Sequence, residues 1–214
     1  TVISASEEAD AAQSVRDFEG YQAAGVLPLV GQWNTHTYSA TTQARSQISA
    51  LCKEQGIRLW MSEVGSGGSG IAGNLNLAQK LMDDIRYIMP VAWVDWQYVE
   101  EGNDQWCLVQ GDFTKQTYHK VKNYSIRQHF SKFIRPGYTF LTSLNGQTLA
   151  ARSPEGDRLM IVAINPNALP VVHRADLSFY ESISSELTAL RSSETEDLSP
   201  TADYTPVSYT HLRA

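Results

Sequence analysis

Cysteine, an excess of one charge and long apolar runs are the features that this sequence has little of. Only two cysteines occur in 214 residues, Cys52 and Cys107, and they fit no metal-binding spacing, so we expect two buried or half-buried thiols and no disulfide. Seventeen Lys and Arg face 23 Asp and Glu, a net charge of −6, and this mild acidic excess argues against nucleic acid or an anionic membrane as a partner. No run approaches the roughly 18 apolar residues of a membrane-spanning helix.

Metal and nucleotide motifs are missing as well. The five histidines are scattered without ligand spacing, so we predict no metal and no other cofactor. The glycine-rich stretch from Gly65 to Gly73 contains no lysine and lacks the spacing of a phosphate-binding loop, which argues against a nucleotide site. A hydrophobic content of 42% fits a globular protein with a substantial core.

Apolar patterns of period two and period 3.6 alternate along the first hundred residues. Strands are predicted at Thr1–Ala5 and Leu27–Tyr38, at the run that ends in Glu63, and at the run that ends in Trp96, with a helix between each pair. Ser6 is predicted to cap the first helix, with Glu7 and Glu8 in its first turn, although Glu7 also sits at a strand end where a barrel places ligand contacts. Gly56 is expected to close the second helix in the left-handed conformation, and Pro90 to end the third. This β-α-β-α-β-α-β order is typical of a parallel barrel.

The strand that ends in Glu63 draws attention because glycine follows it directly. Leu59, Met61 and Glu63 have one parity, so we expect them to share a face of the strand. A carboxylate at the end of a buried strand is what a parallel barrel needs at its catalytic rim, although this stretch alone favours slightly an ordinary surface glutamate. On the neighbouring strands two more sets share a parity: Gln32, Asn34, His36 and Tyr38, and then Ala92, Val94 and Trp96. The opposite parity predicts that three tryptophans pack beneath helices: Trp33, Trp60 and Trp93.

The remainder of the chain changes character. Val99 to Phe113 is predicted to be a long covering loop and Lys115 to Phe130 a last helix. After Tyr138 the period is two, with a type I′ hairpin predicted at Asn145-Gly146 and further strands at Arg158–Ile164 and Val171–Phe179. These short antiparallel strands indicate a small β domain, interpreted as part of a sandwich.

Three segments in the same order, Gly31–Tyr38, Leu59–Gly68 and Val91–Gln97, resemble glycoside hydrolase family 30. In that family a His-x-Tyr on strand six, a Ser-Glu before glycine on strand seven and a Trp on strand eight line one pocket. Gln128 to Tyr138 resembles the family's link from barrel to side domain. Within the family the chain is most similar to bacterial endo-β-1,6-galactanase-like members.

The resemblance implies an α/β plus all-β fold, namely the C-terminal half of a (β/α)₈ barrel followed by a small antiparallel β-sandwich. Residues 1–133 are then expected to be barrel strands five to eight and residues 134–205 an incomplete sandwich. Residues 206–214 fit neither domain and resemble translated adapter sequence, so we expect a non-native tail there. A whole barrel takes about 250 residues, so the first half is expected to lie upstream of this chain.

The resemblance also implies a function and roles for individual residues. The parent protein is expected to be a retaining glycoside hydrolase of a β-linked polysaccharide or oligosaccharide, with Glu63 as the nucleophile and His36, Tyr38 and Trp96 binding the substrate. The family's acid/base is a Glu after Asn on strand four, and because this chain contains no Asn-Glu pair, we expect that residue upstream. The alternative is a carbohydrate-binding pseudo-enzyme that keeps the cleft without the chemistry. We further expect a monomeric protein that is secreted, periplasmic or at the cell surface.

Overall fold

The centre of the molecule is a four-stranded parallel sheet with the strand order β1-β2-β3-β4. The computed structural model describes residues 1–66, 68, 70–178, 180, 182 and 187–202. The four strands are β1 (Ile3–Glu8), β2 (Val30–His36), β3 (Arg58–Val64) and β4 (Ala92–Asp95). They are joined by the helices α1 (Ala11–Ala23), α2 (Thr42–Glu54) and α3 (Ile71–Tyr87). The predicted order of strands and helices in this part is therefore confirmed.

Helix α1 begins later than its sequence predicts. The carboxylate of Asp10 caps it by accepting the N–H groups of Ala12 and Gln13 at 2.8 and 3.0 Å. Ser6 is consequently not the cap, and Glu7 and Glu8 are not in a first helical turn; all three belong to β1. Strand β1 extends this far because Glu8 still pairs with Thr35 of β2, and the ladder with β2 outweighs the local capping signal.

Helix α2 follows its sequence signals at both ends. The Thr41 hydroxyl accepts the Ala44 N–H at 3.1 Å, and Gly56 closes the helix with φ of +65°, as predicted. Of the described helices, none combines the length and apolarity that a membrane crossing needs.

The main core lies between the parallel sheet and its helices. Trp33 is fully buried there, with edge-on ring contacts to Phe18 at 4.8 Å and Tyr21 at 5.3 Å. Its indole N–H donates to Ser14 Oγ at 2.8 Å, which satisfies the one polar atom that this burial would otherwise orphan. The predicted position of Trp33 beneath a helix is confirmed.

An extra residue interrupts the pairing of β2 with β3. Thr35 pairs with Met61, but His36 pairs with Glu63, so Ser62 forms a bulge. Met61 and Leu59 belong to the core beneath the helices, whereas the bulge turns Glu63 to the side of the sheet that the helices leave free, here called the open face. The prediction that these residues share one face is therefore wrong, since parity holds only along an unbroken ladder.

The other two tryptophans behave differently from each other. Trp93 is half-buried, but it packs against both core clusters and donates its N–H to Asp84 at 2.9 Å, so its predicted packing beneath helices is confirmed. Trp60 pairs with Asn34, whose side chain serves the open face, and it is only half-buried. Its predicted position beneath a helix is wrong.

A small sheet replaces much of the predicted covering loop. It contains β5 (Val99–Glu101), β6 (Val109–Asp112) and β7 (Thr117–Lys120), and it is followed by helix α4 (Lys122–Ser131). The helix predicted from Lys115 therefore begins seven residues late. Asp112 Oδ1 accepts the Lys115 N–H at 2.8 Å and closes a turn. The chain after this turn forms β7, which pairs with β6, and helix α4 begins only after β7.

The C-terminal part forms short antiparallel strands. These are β8 (Thr139–Leu141), β9 (Thr148–Arg152) and β10 (Leu159–Ala163), with β11 (Leu190–Arg191) and β12 (Ser199–Pro200) as a separate pair. The hairpin of β8 and β9 is confirmed, but its type I′ turn is wrong, because the φ of Gly146 is not positive and Thr148 N–H instead bonds Asn145 O at 3.2 Å. Residues 171–178 form no strand, which corrects the prediction there; Phe179 and the predicted tail at 206–214 lie outside the described residues.

The antiparallel sheet packs on the helices of the first part. Leu149 and Val162 lie in one cluster with Leu81 of α3 and Phe130 of α4. The Arg86 guanidinium donates to three carbonyls at the β8–β9 turn, including Thr148 O at 2.7 Å. This contact shows which helices the sheet covers, whereas the complete sandwich stays a prediction.

Candidate active site

The carboxyl ends of β1, β2 and β3 bring together four polar side chains that lie far apart in sequence. Glu7 lies at the end of β1, His36 ends β2, Glu63 lies near the end of β3, and Tyr38 follows β2. Parallel strands present their carboxyl ends at one edge of a sheet, which is where parallel barrels carry their sites. The register pairs His36 directly with Glu63.

Glu63 is held through one of its oxygens. The Tyr38 hydroxyl donates to Oε1 at 3.0 Å, and His36 Nδ1 lies 3.8 Å from the same oxygen. The Glu63 side chain keeps 30% of its surface exposed, so the carboxylate is both positioned and accessible. The structure thus brings three of the four predicted site residues into one group.

Tyr38 is in turn held by the loop after β3. Its oxygen accepts the Gly65 N–H at 3.1 Å while its proton goes to Glu63. Burial raises the pKa of Tyr38 above its usual 10, helped by the Glu63 charge and opposed by the Gly65 hydrogen bond. The phenol therefore stays protonated at neutral pH and can act as a steady donor to Glu63.

Glu7 is the site residue that the sequence prediction missed. Its carboxylate accepts from three side chains: His36 Nε2 lies 3.0 Å from Oε2, Ser62 Oγ donates to Oε2 at 2.8 Å, and the Asn34 amide donates to Oε1. The sequence signal that could have identified Glu7 as a site residue is its position at the end of a predicted strand. We read Ser6-Glu7-Glu8 as a helix start instead, because the length of β1 depends on pairing with a distant strand.

His36 lies between the two carboxylates. Nε2 faces Glu7 and Nδ1 faces Glu63, and only 11% of the side-chain surface is exposed. Its ring is therefore hydrogen-bonded to β1 through Nε2, and its other nitrogen is close to the end of β3.

Trp96 stands at the edge of this group, directly after β4. Its backbone N–H donates to Val64 O at 3.0 Å, and 46% of the residue is exposed. Gly65 is required at this point, since a Cβ there would come within 2.9 Å of Trp96 O and 3.3 Å of Trp106 Cβ. Trp106 lies between β5 and β6 and donates its N–H to Glu100 at 3.0 Å.

A second carboxylate, Asp84, lies on the other side of residues 36–38, in a buried ionic group that is closed to solvent. Asp84 of α3 is fully buried and accepts from Thr37 Oγ1 at 2.9 Å, Arg45 Nε at 2.7 Å and Trp93 Nε1 at 2.9 Å. Burial raises the pKa of Asp84, an effect that these three donors oppose. Lys80 Nζ caps the carbonyls of Thr37 and Tyr38 at 3.0 and 3.2 Å, so the backbone that carries the site is fixed from behind.

Metal binding finds no support in the part of the chain that is described, where no three His, Cys, Asp or Glu side chains converge on one point. Cys52 and Cys107 are both buried, as predicted, and burial raises the pKa of the Cys52 thiol to about 12. Neither thiol is a nucleophile at neutral pH.

Comparison with curated proteins finds enzymes that act on β-1,6-linked galactose. An endo-β-1,6-galactanase of Hypocrea rufa is 26% identical over 164 residues, which covers 76% of this chain and 33% of that protein. An exo-β-1,6-galactobiohydrolase of Bifidobacterium longum subsp. longum is 30% identical over 108 residues, covering 47% of this chain and 7% of that protein. The chain thus spans a third or less of the curated relatives that it matches. No family model matches the sequence.

Comparison with solved structures finds family 30 enzymes over nearly the whole chain. A glycoside hydrolase family 30 subfamily 8 xylanase from Clostridium acetobutylicum matches with a TM-score of 0.69 and 22% identity, covering 97% of this chain and 51% of that one. A family 30 endoxylanase from Clostridium papyrosolvens matches with a TM-score of 0.70 and 18% identity, covering 94% and 50%. At these identities the structures show a shared fold. The chain is thus similar in sequence to enzymes named for cleavage of β-1,6-linked galactan, and it shares its fold with glycoside hydrolase family 30 xylanases.

Proposed function

We propose that the longer protein to which this chain belongs, here called the parent, is a retaining glycoside hydrolase with Glu63 as its nucleophile. The observation that carries the proposal is the placement of Glu63 at the strand ends, where Tyr38 donates to it and His36 faces it. The Tyr38 hydrogen bond fixes the orientation of the Glu63 carboxylate, and its exposure leaves it open to a sugar that it could attack. Because both contacts fall on Oε1, we assign the attack on the anomeric carbon to Oε2.

The reaction is a double displacement. Glu63 forms a covalent glycosyl-enzyme while a second carboxylic acid protonates the leaving oxygen, and water then releases the sugar. The two carboxyl groups must be about 5 to 5.5 Å apart. Glu7 is badly placed to be that second group, since its oxygens already accept from three side chains and the His36 ring lies between it and Glu63. We therefore place the acid/base on the parent's fourth barrel strand, as the family resemblance implies.

Two features of the sheet support the proposal that this chain is the C-terminal half of a barrel. Within the described residues, β1 and β4 each pair with one strand only. Both also carry exposed apolar side chains: Ile3 is 49% and Val94 39% exposed. An open edge of this kind is what missing partner strands would leave. We propose residues 1–133 as this half-barrel and residues 134–205 as the side domain.

β-1,6-linked galactan is the substrate that we propose for the parent. The support is that both curated relatives are named for cleavage of that linkage, whereas the xylanase structures share the fold alone. In this assignment Trp96 offers its half-exposed ring to the C–H face of a sugar, and His36 and Tyr38 bind at the cleaved bond. Such a polymer lies outside the cell, which favours a secreted or cell-surface parent.

The stereochemistry of the first-formed product tests the mechanism. Proton NMR of the parent acting on β-1,6-galactooligosaccharides should show the β-anomer first, and turnover on β-1,4-xylan should be much slower. An α-anomer would make Glu63 a base that activates water, with the carboxyl groups about 6.5 to 9.5 Å apart. Tight binding without any turnover would identify the pseudo-enzyme instead.

A further inference from the structure

Glu7 is the point where the three strands that build the site are tied together. Its carboxylate accepts one hydrogen bond each from Asn34 and His36 of β2 and from Ser62, the bulge residue of β3. The Asn34 amide also donates to Ser4 Oγ at 2.6 Å, so β1 is held at two points. The side chain of Glu7 nevertheless stays 58% exposed, which is more open than a purely structural buried carboxylate.

We propose that Glu7 is a positioning residue that sets the orientation and tautomer of His36, and through it the face that His36 presents to the nucleophile Glu63. The inference rests on the proposed function, since it concerns how that nucleophile is held. Glu7 itself does not contact the reacting atoms in this assignment.

The chemistry of the two groups dictates the direction of the effect. An ionised carboxylate only accepts hydrogen bonds, so the 3.0 Å contact requires that His36 carries a proton on Nε2. The partner of one ring nitrogen thereby determines what the other nitrogen offers, as in carboxylate–histidine pairs generally. Here the other nitrogen, Nδ1, lies 3.8 Å from Glu63 Oε1.

The bulge gives this arrangement its geometry. With Ser62 as an extra residue, both its hydroxyl and the next side chain, Glu63, serve the open face. The hydroxyl reaches Glu7 across β2, directly beside the His36 contact, because both fall on Glu7 Oε2. Loss of that oxygen therefore frees the imidazole and the bulge at once.

Glu7→Ala and Glu7→Gln in the parent test the inference, with Glu8→Gln as the matched control, since Glu8 is the next residue of the same strand and pairs with Thr35, which in turn pairs with the core residue Met61. We expect kcat to fall roughly 10- to 100-fold in Glu7→Ala, the range that follows misplacement of a site group by about 1 Å, while KM changes little. Glu7→Gln should recover part of the loss, because its amide oxygen still accepts from Nε2. Equal kcat values for Glu7→Ala and Glu8→Gln would overturn the proposal.

A spectroscopic measurement separates this inference from the proposed function. The ring nitrogen shifts of His36 in the neutral form should show one tautomer, protonated on Nε2, in the parent and in Glu8→Gln, and a mixture in Glu7→Ala. This result holds even if the parent cleaves no glycoside, in which case the proposed function fails and the positioning role stands. An unchanged single tautomer in Glu7→Ala would refute the role whatever the activity. If Glu7→Ala does not fold, Glu7→Gln must show a shifted Nε2 resonance and a reduced kcat, and wild-type values for both would refute it.

Azide distinguishes a positioning residue from an acid/base. If Glu7 were the acid/base, azide would attack the glycosyl-enzyme of Glu7→Ala, release Glu63 and yield a glycosyl azide, and activated aryl glycosides would lose the least activity. We expect no glycosyl azide and a similar loss on good and poor leaving groups. Azide rescue would overturn the positioning assignment.

Discussion

Three consecutive residues, His36, Thr37 and Tyr38, serve two carboxylates that differ in almost every respect. His36 and Tyr38 approach Glu63, which is partly exposed and held on a single oxygen. Thr37 donates to Asp84, which is fully buried and accepts on both oxygens, from Arg45 on one and from Thr37 and Trp93 on the other. Residues 36–38 thus contact the solvent-accessible Glu63 on one side and the fully buried Asp84 on the other.

In the proposed mechanism this difference separates a carboxylate that reacts, Glu63, from one that only stabilises the fold, Asp84. Asp84 has its oxygens occupied and no route to solvent, so it can only stabilise the fold. Glu63 retains access to the open face, and its rigidity comes from the segment that Asp84 and Lys80 hold from behind. If this division is correct, changes at Glu63 affect turnover alone and changes at Asp84 affect stability first.

Glu63→Gln should have the largest effect, and on activity only. Amide nitrogen and oxygen preserve the shape but cannot attack, so we expect turnover by the parent to fall about 10⁴-fold or more, in the range seen when a catalytic nucleophile is removed. Melting temperature and oligosaccharide binding should stay near wild type. Glu54→Gln, on the exposed side of α2, is the control and should keep full activity. Near-normal rates in Glu63→Gln would remove Glu63 from the mechanism.

Asp84→Ala should come second, with its effect on stability. It leaves the buried Arg45 charge, the buried Thr37 hydroxyl and the half-buried Trp93 N–H without their acceptor, and breaking a buried pair in this way costs about 3 to 5 kcal/mol. Urea unfolding of the parent measures the loss. Asp83→Ala, one residue earlier and half-buried, should change the free energy of unfolding by less than about 0.5 kcal/mol. Equal losses in both variants would mean that the closed group has no special role.

Tyr38→Phe should have the smallest of these effects. It removes one hydrogen bond to Glu63 and keeps the ring, and a bond to a charged group is worth about 1.5 to 3 kcal/mol, or roughly 10- to 100-fold in rate if it is stronger in the transition state. Stability should hardly change, because the residue is 41% exposed. Tyr118→Phe, at a ring that is 77% exposed, should have no effect on kcat/KM. A larger loss of stability in Tyr38→Phe than in Asp84→Ala would contradict the division between a catalytic and a stabilising carboxylate.

Much of the architecture follows from patterns between residues close in the chain. The stripe of Leu77 and Leu81 predicted α3, Gly56 predicted the end of α2, and alternating residues predicted the hairpin of β8 and β9. Each of these signals is complete within one or two helical turns or one strand pair. The residues within each element are therefore enough to predict it from sequence.

The tertiary structure alone decided the details of the site. The bulge at Ser62 turns Glu63 away from Met61, and strand β1 continues to Glu7 only because β2 lies beside it. The same applies to β7, where pairing with β6 overrides a helical pattern. Pairing partners lie tens of residues apart, and their register depends on which side chains fill the core, a fact that no local period contains. The amino-acid sequence determined by itself that Glu63 and His36 lie at strand ends with Tyr38 close by, whereas Glu7 becomes their neighbour only because three strands lie side by side.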